Sequence, residues 1–483
     1  MSKYKCMICG YVYDEDREDI KFDKLSSEWT CPMCGATINL FSSVSDNSSS
    51  DMTPSNAVKI SLDNKGVVRN NDLCVNCGIC TQTCVIREGM QFDSNSELCV
   101  SCGQCIQTCP TKALSARYEF SLFEEAHLNK KVCIAYISPA VRVSLGEIFG
   151  LEYGSFEQKK VVGLLRMLGF DYVFDTTFGA DLTIMEEASE LVMRINNNSN
   201  LPMFTSCCPA WVKYAEQFYP SLLSNISTCK SPIAMMGSVI SKYFTKFKNI
   251  DEDNMYTVAI TPCTAKKYEI KRDEIRGTNL VITLNELIDV IKEKKIKYED
   301  IPDSDFDSMF GEGSGAGVIF GSTGGVMEAA LRTAYYLITG KNLDIDKLDF
   351  NSVRGYDNVK EASINIGNEK IDVCVIHGIG KARRILDEIR DGKRKYHFVE
   401  VMNCQGGCIG GGGQPKIEIY HEKEIKEKRM KALYNRDKAQ KIRCSYENPE
   451  IKKLYAEFLE SPLSNVAHEL LHTKYEDKSD LIK

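Results

Sequence analysis

The segment TSCCPAW, residues 205–211, sets Cys207 and Cys208 side by side. Two such thiols are poor partners for one another. Neighbouring Cα atoms lie about 3.8 Å apart, whereas disulfides favour roughly 4.4–6.8 Å. In an extended segment the two side chains project to opposite faces, so one thiol can bind a metal while the other stays free. Further along, TPCTAKKYE carries Cys263 with Lys266 and Lys267 just behind it, and EVMNCQGGCIGGGGQP carries Cys404 and Cys408. Setting one of the paired thiols aside leaves four, the number an iron–sulfur cubane needs. The glycines around Cys404 and Cys408 let backbone approach a bulky inorganic group closely.

The remaining thiols are denser still. Of 21 cysteines, twelve fall in the first 109 residues in short-spaced groups. The sequence contains no signal peptide, twin-arginine leader or membrane-length apolar run, so a cytoplasmic location is expected and the spacing reads as metal binding, not as a disulfide framework. KCMICGYVYD and WTCPMCGAT place Cys6, Cys9, Cys31 and Cys34 as two CxxC knuckles, a four-thiolate site that suits a mononuclear iron or zinc. A domain this small needs its metal to fold. The run FSSVSDNSSSDMTPS that follows is linker-like, and residues 42–58 are read as a flexible connection. Next comes an internal repeat, LCVNCGICTQTC and LCVSCGQCIQTCP. Its CxxCxxCxxxC spacing is that of two-cluster bacterial ferredoxins, in which the fourth cysteine of each copy ligates the other cluster. Cys74, Cys77, Cys80 and Cys109 are thus expected to hold one [4Fe-4S] cluster, and Cys84, Cys99, Cys102 and Cys105 the second. The first copy has Val85 where proline usually follows.

These groups must be positioned by a larger framework. A chain of 483 residues is too long for one ordinary core, and its length suits about three domains. A net charge of −7 gives no reason to expect nucleic acid and mildly opposes an anionic membrane surface. From about Lys130, β-rich runs (VCIAYI, DYVFDT, YTVAIT, DVCVIHG) alternate with helical patterns (QKKVVGLLRML, EEASELVMRI, GGVMEAALRTAYYL, KARRILDEI). That alternation predicts α/β architecture with mostly parallel sheets. GEGSGAG at 311–317 lacks dinucleotide-binding and Walker spacings and is read as a loop.

The three segments around Cys207/Cys208, Cys263 and Cys404/Cys408 resemble, in the same order, the signature segments of the [FeFe]-hydrogenases. The resemblance runs from about residue 70 to 475 and includes the C-terminal stretch ALYNRDKAQKIRCSYENPEIKKLYAEFLESPLSNVAHELLHTKY, similar to a fused small-subunit segment. CGYVYD and EWTCPMCG resemble the knuckles of rubredoxin. The resemblance implies a multidomain protein: a rubredoxin-like metal domain (1–41), the linker, a ferredoxin-like α+β domain (59–125), an α/β catalytic domain with two lobes around the active site (126–420) and a small-subunit-like segment (421–483). It implies an H-cluster, a [4Fe-4S] cubane joined through one cysteine to a diiron unit with carbonyl, cyanide and azadithiolate ligands. By position Cys208, Cys263, Cys404 and Cys408 hold the cubane, Cys408 is the bridge, and Cys207 is the free thiol that passes protons to the diiron unit. Lys266 matches a lysine that holds a cyanide, and Pro139, Ser231 and Met402 match residues around the diiron pocket. The chain departs from the common pattern at Thr261, Ala210, Ser138 and Ile233, where many members have methionine, glycine, alanine and glutamine.

Proton delivery has a physical candidate in EEASELVMR. On a helix Glu187, Glu190 and Arg194 share one side. Their offsets from Cys207, together with Ser227, match the family's relay: solvent, Arg194 and Glu190, Ser227, Glu187, Cys207. Outside this setting the same pattern reads as an exposed salt-bridged face. The implied activity is reversible reduction of protons to hydrogen, with electrons from a ferredoxin-type carrier and the diiron unit installed by maturation proteins. A hydrogen sensor, an iron–sulfur assembly factor and a polyferredoxin are the rivals.

Overall fold

The computed structural model describes residues 3–6, 12–15, 18, 20–26, 29–32, 37–38, 41–44, 56–87, 89, 96–311 and 313–482. Strands β1 (Lys3–Cys6), β2 (Val12–Asp14) and β3 (Phe41–Val44) form an antiparallel sheet in the order β2-β1-β3. Aromatic rings supply the core of this head. Tyr4 stacks on Phe22 at 4.1 Å between centroids, Tyr13 meets Trp29 edge-on at 5.5 Å, and Phe41 lies 5.2 Å from Phe22. Of the four head cysteines, Cys31 is buried and Cys6 ends β1, whereas Cys9 and Cys34 lie outside the described residues.

The segment read as linker is folded at both ends. Residues up to Val44 belong to β3, while Ala57 and Val58 are buried against the cysteine-rich repeat, where Val58 N donates to Cys80 Sγ at 3.3 Å. Residues 45–55 lie outside the described residues. In the repeat, β4 (Val67–Arg69) pairs antiparallel with β5 (Leu114–Ala116), and the two copies become equivalent short helices, Ile79–Gln82 and Gln104–Thr108. Each helix follows a glycine at positive φ, Gly78 at 76° and Gly103 at 70°, a conformation that glycine adopts without strain.

The large domain contains two four-stranded sheets. β6 (Val132–Ile137), β7 (Tyr172–Asp175), β9 (Met255–Thr261) and β10 (Leu280–Thr283) are all parallel in the order β10-β9-β6-β7. The second sheet, β11-β12-β13-β8, joins β8 (Met203–Phe204), β13 (Phe398–Met402) and β12 (Glu369–His377) in parallel, and β11 (Val359–Ile366) closes it antiparallel. Strands such as VCIAYI are apolar along their length because a parallel sheet is covered on both faces.

All eight strand and helix runs recognised in the large domain match observed elements of the same type to within one residue at each end they overrun. GEGSGAG follows its loop reading at Gly311, Gly313 and Ser314 and departs from it only from Gly315 on. Ser314 caps a helix at Gly315–Ile319, and its glycines are required by close contact, since a Cβ on Gly317 would lie 2.5 Å from Thr177 O. Helix Phe120–Leu128 also packs into the core of the first sheet, so the large domain begins before residue 126. Among the described residues no helix is long and apolar enough to cross a membrane.

Candidate active site

Parallel strands present their carboxyl ends together, and ligands of open α/β sheets bind there. Pro139 opens a turn of helix two residues after β6, Cys263 follows β9, Cys207 and Cys208 follow β8, and Cys404 follows β13. These ends from both sheets line one largely apolar cavity, whose wall includes Cys207, Cys208, Cys263, Cys404 and Cys408. Five thiols from three segments more than fifty residues apart in sequence therefore converge. Pro139, Lys266 and Met402 line the same cavity, as do three of the four departures, Ser138, Thr261 and Ile233. Ser231 does not. Its hydroxyl caps helix Pro232–Val239 and donates to Glu269 at 2.9 Å, facing a smaller neighbouring cavity.

Burial raises the thiols of Cys207, Cys208, Cys263 and Cys408 alike. Burial, and then the charge of Cys208, push the Cys263 thiol up to about 11, and burial followed by Cys263 and Cys208 raises Cys408. For Cys207, burial acts first and Glu187 is the strongest charged neighbour, with Cys208 and Cys408 adding to the rise and Lys266 opposing it. Cys208 also accepts from the Asn403 backbone N–H at 3.5 Å. Four thiols crowded in an apolar wall cannot all ionise unless a cationic centre compensates them. That donor set, four cysteines around an apolar space with Thr176 Oγ1 buried and unpartnered beside it, fits an iron–sulfur group.

Lys266 is buried, and its Nζ donates to Cys207 O at 3.0 Å and to both oxygens of Glu269 at 2.9 and 3.0 Å. Burial opposes its charge, but Glu269 and the neighbouring thiols hold its pKa above the ordinary value. Glu269 escaped the sequence reading. The signal was its i,i+3 spacing from Lys266 within AKKYE.

Behind Cys207 runs a file of polar groups on the buried helix Thr176–Asn196. Arg194 donates to Glu190 Oε1 at 2.6 Å, and Ser227 Oγ donates to Glu190 Oε2 at 3.0 Å. Thr228 N adds a further bond to Glu190 at 3.0 Å. Glu187 is completely buried, and neither of its oxygens has a hydrogen bond of good geometry, although Ser227 and the Ser206 N–H lie near enough to favour its charged form slightly. Burial, then Glu190, pushes its pKa up to about 8. An exposed salt-bridged face is excluded by this burial.

The glycines near Cys404 and Cys408 admit protein. A Cβ on Gly411 would lie 2.3 Å from Pro262 O, and one on Gly412 would lie 2.4 Å from Cys102 O. The loop is pressed between β9 and the cysteine repeat, so the close approach expected for an inorganic group is here an approach of backbone to backbone. In the repeat itself Cys74, Cys77, Cys80 and Cys109 wall one cavity, while Cys105 is raised by burial and by its neighbour Cys99.

Fold and site together define a multidomain iron–sulfur protein with a thiol-lined chamber at the strand ends of its largest domain. The family described as iron only hydrogenase large subunit, C-terminal domain, matches residues 131–412, more than half of the sequence, and the chain belongs to it. The iron hydrogenase small subunit family matches 423–478, a 4Fe-4S binding domain 93–115 and rubredoxin 3–41. Iron hydrogenase 1 of Clostridium pasteurianum is 42% identical over 374 residues, 76% of this chain and 65% of that protein. The NADP-reducing hydrogenase subunit HndD of Solidesulfovibrio fructosivorans is 42% identical over 83% of this chain and 66% of its own length. The match thus spans just under two thirds of these relatives. A solved apo [FeFe]-hydrogenase from Chlamydomonas reinhardtii superposes with a TM-score of 0.65 at 39% identity, over 74% of this chain and 98% of that one. At 30% identity, over 73% of this chain and 75% of that protein, a cytosolic Fe-S cluster assembly factor, narfl, of Xenopus tropicalis is also similar.

Proposed function

We propose that the chain interconverts protons and molecular hydrogen in both directions, with an H-cluster held by Cys208, Cys263, Cys404 and Cys408. The observation that carries this reading is geometric: Cys207, Cys208, Cys263, Cys404 and Cys408 meet in the wall of one apolar cavity, one thiol more than a cubane needs, and the strongest charged neighbour of Cys207 is the buried Glu187. When bound, the group would supply two-electron chemistry between protons and hydrogen. The protein's residues govern access. Lys266 and Glu269 form a buried pair that places a cation against the wall and fixes the Cys207 carbonyl. Glu187, with its raised pKa, holds a proton at neutral pH and can hand it to Cys207. Ser227 links it to Glu190, and Arg194 orients Glu190 from the outer end of the file.

Electrons are proposed to arrive from a ferredoxin-type carrier through two [4Fe-4S] clusters, one on Cys74, Cys77, Cys80 and Cys109, the other on Cys84, Cys99, Cys102 and Cys105. The head holds a single iron or zinc on Cys6, Cys9, Cys31 and Cys34. Action in the cytoplasm and installation of the diiron unit by maturation proteins complete the reading. Infrared spectroscopy of the matured protein tests it: carbonyl and cyanide bands together with hydrogen turnover are expected. Clusters without such bands would indicate an assembly factor, and bands with negligible turnover a sensor.

A further inference from the structure

In the repeat, the residue between glycine and the third cysteine is Ile79 in the first copy and Gln104 in the second. Ile79 is partly exposed, whereas Gln104 is 1% exposed, an amide buried where its counterpart is aliphatic. Its Nε2 lies 3.0 Å from Gly410 O and 3.2 Å from Cys404 Sγ, three hundred residues away in the chain. The orientation of the amide is fixed by chemistry, because Gly410 O can only accept and so must face the NH2. One N–H satisfies that carbonyl and the other is aimed at the sulfur. Gln104 Oε1 has no partner, so the amide is held in place by its donors alone.

We infer that Gln104 is a positioning residue through which the ferredoxin-like domain tunes the active-site cubane, by donating an N–H···S hydrogen bond to its Cys404 ligand. Hydrogen bonds to cluster sulfurs are among the determinants of reduction potential. A donor at a thiolate stabilises the more negative, reduced cluster, and the bond strengthens when the sulfur carries charge. Gln104 lies between Cys102 and Cys105, so the same side chain joins the wall of the nearer accessory site to the active site. This inference rests on the function proposed above.

The test is an infrared-monitored potentiometric titration of the full-length, matured protein, in which the carbonyl and cyanide bands report the oxidation state of the joined cubane. Gln104→Leu keeps the volume and removes the donor, and Gln104→Met does the same with a flexible side chain. Both are expected to shift the band conversion to more negative potential. Gln107→Leu is the control, because Gln107 Nε2 docks the same module by donating to Gly412 O at 3.3 Å and Gln414 O at 2.8 Å. It is expected to leave the potential in place. An unmoved potential in both Gln104 variants, or an equal shift in Gln107→Leu, overturns the inference. Absence of the bands from the wild-type protein instead removes the proposed function and the inference with it.

Discussion

Glu187 is the residue whose burial has the most direct thermodynamic consequence. An ordinary glutamate titrates near 4.5, and this one near 8. The folded state therefore keeps a proton that the unfolded chain releases, so stability falls as pH rises from about 4.5 to about 8, and above that the loss is complete. Glu187→Gln carries no charge at any pH. It is expected to match the wild type below about pH 4.5 and to exceed it by on the order of 5 kcal/mol above pH 8, since each tenfold change in proton affinity is worth about 1.4 kcal/mol. Thermal unfolding of the two proteins across that range measures the difference, and a pH-independent gap would contradict it. The same substitution is expected to slow turnover by roughly 10²–10⁴-fold, the usual contribution of a positioned proton donor, while reduction of the accessory clusters stays unchanged. Cys207→Ala is expected to keep the infrared bands and lose nearly all turnover; normal hydrogen evolution in that variant would remove Cys207 from the path. Cysteine positions could be read from sequence because spacing alone restricts what a thiolate can do. Glu269 was marked only by its i,i+3 spacing from Lys266, a weak signal because no local pattern announces that the lysine is buried.

At the scale of the element, the helix Thr176–Asn196 must hold Glu187 and Glu190 in line with Cys207. Its anchor is Asp181, fully buried, which accepts bonds from Ser314 N at 2.7 Å, Ser314 Oγ at 2.5 Å, Ser445 Oγ at 2.8 Å and Asn448 Nδ2 at 2.9 Å. One carboxylate thus ties the helix to the Gly315–Ile319 turn and to the C-terminal segment. Burial raises its pKa, with the donors opposing that rise. Asp181→Ala leaves four buried donors without an acceptor and is expected to cost roughly 3–5 kcal/mol, read as a lowered unfolding midpoint. A change below about 1 kcal/mol, the typical effect of an ordinary substitution, would show that the helix is held by packing alone. The legible part of this helix was EEASELVMRI, where polar and apolar residues alternate with helical period. The preceding TTFGADLT is buried on every side, so it carries no amphipathic signal, and its threonines favour other structures. GEGSGAG reads as a loop for a related reason: glycine signals a loop when considered locally, but here it serves helix–backbone contact.

The whole molecule joins its modules by two different kinds of contact. The ferredoxin-like domain is locked to the catalytic domain by backbone: Thr264 Oγ1 donates to Ser101 O at 2.7 Å, Lys213 Nζ to Cys99 O at 2.8 Å, and a Cβ on Gly66 would lie 2.7 Å from Thr264 O. Such a seam fixes the cysteine repeat in one place beside the thiol-lined chamber. The head has an aromatic core of its own in Tyr4, Tyr13, Phe22, Trp29 and Phe41, and its strands pair with one another. The sequence that joins it to Ala57 is rich in serine and poor in apolar residues, the composition of a tether. The two connections predict opposite outcomes. Deleting residues 1–55 is expected to leave the infrared bands, the unfolding midpoint of the remainder and reductant-driven turnover unchanged, because among the described residues the cores of the other domains include none from the head. Gly412→Ala is expected to do the reverse. Its Cβ would meet Cys102 O at 2.4 Å and Gly103 Cα at 2.6 Å, and neither backbone can yield. Overpacking at such a seam costs about 1–3 kcal/mol, so the unfolding midpoint falls, and ferredoxin-driven turnover falls with it as the two domains are forced apart. If the deletion lowered turnover and the glycine substitution did not, the head would be the electron entry and the seam merely structural.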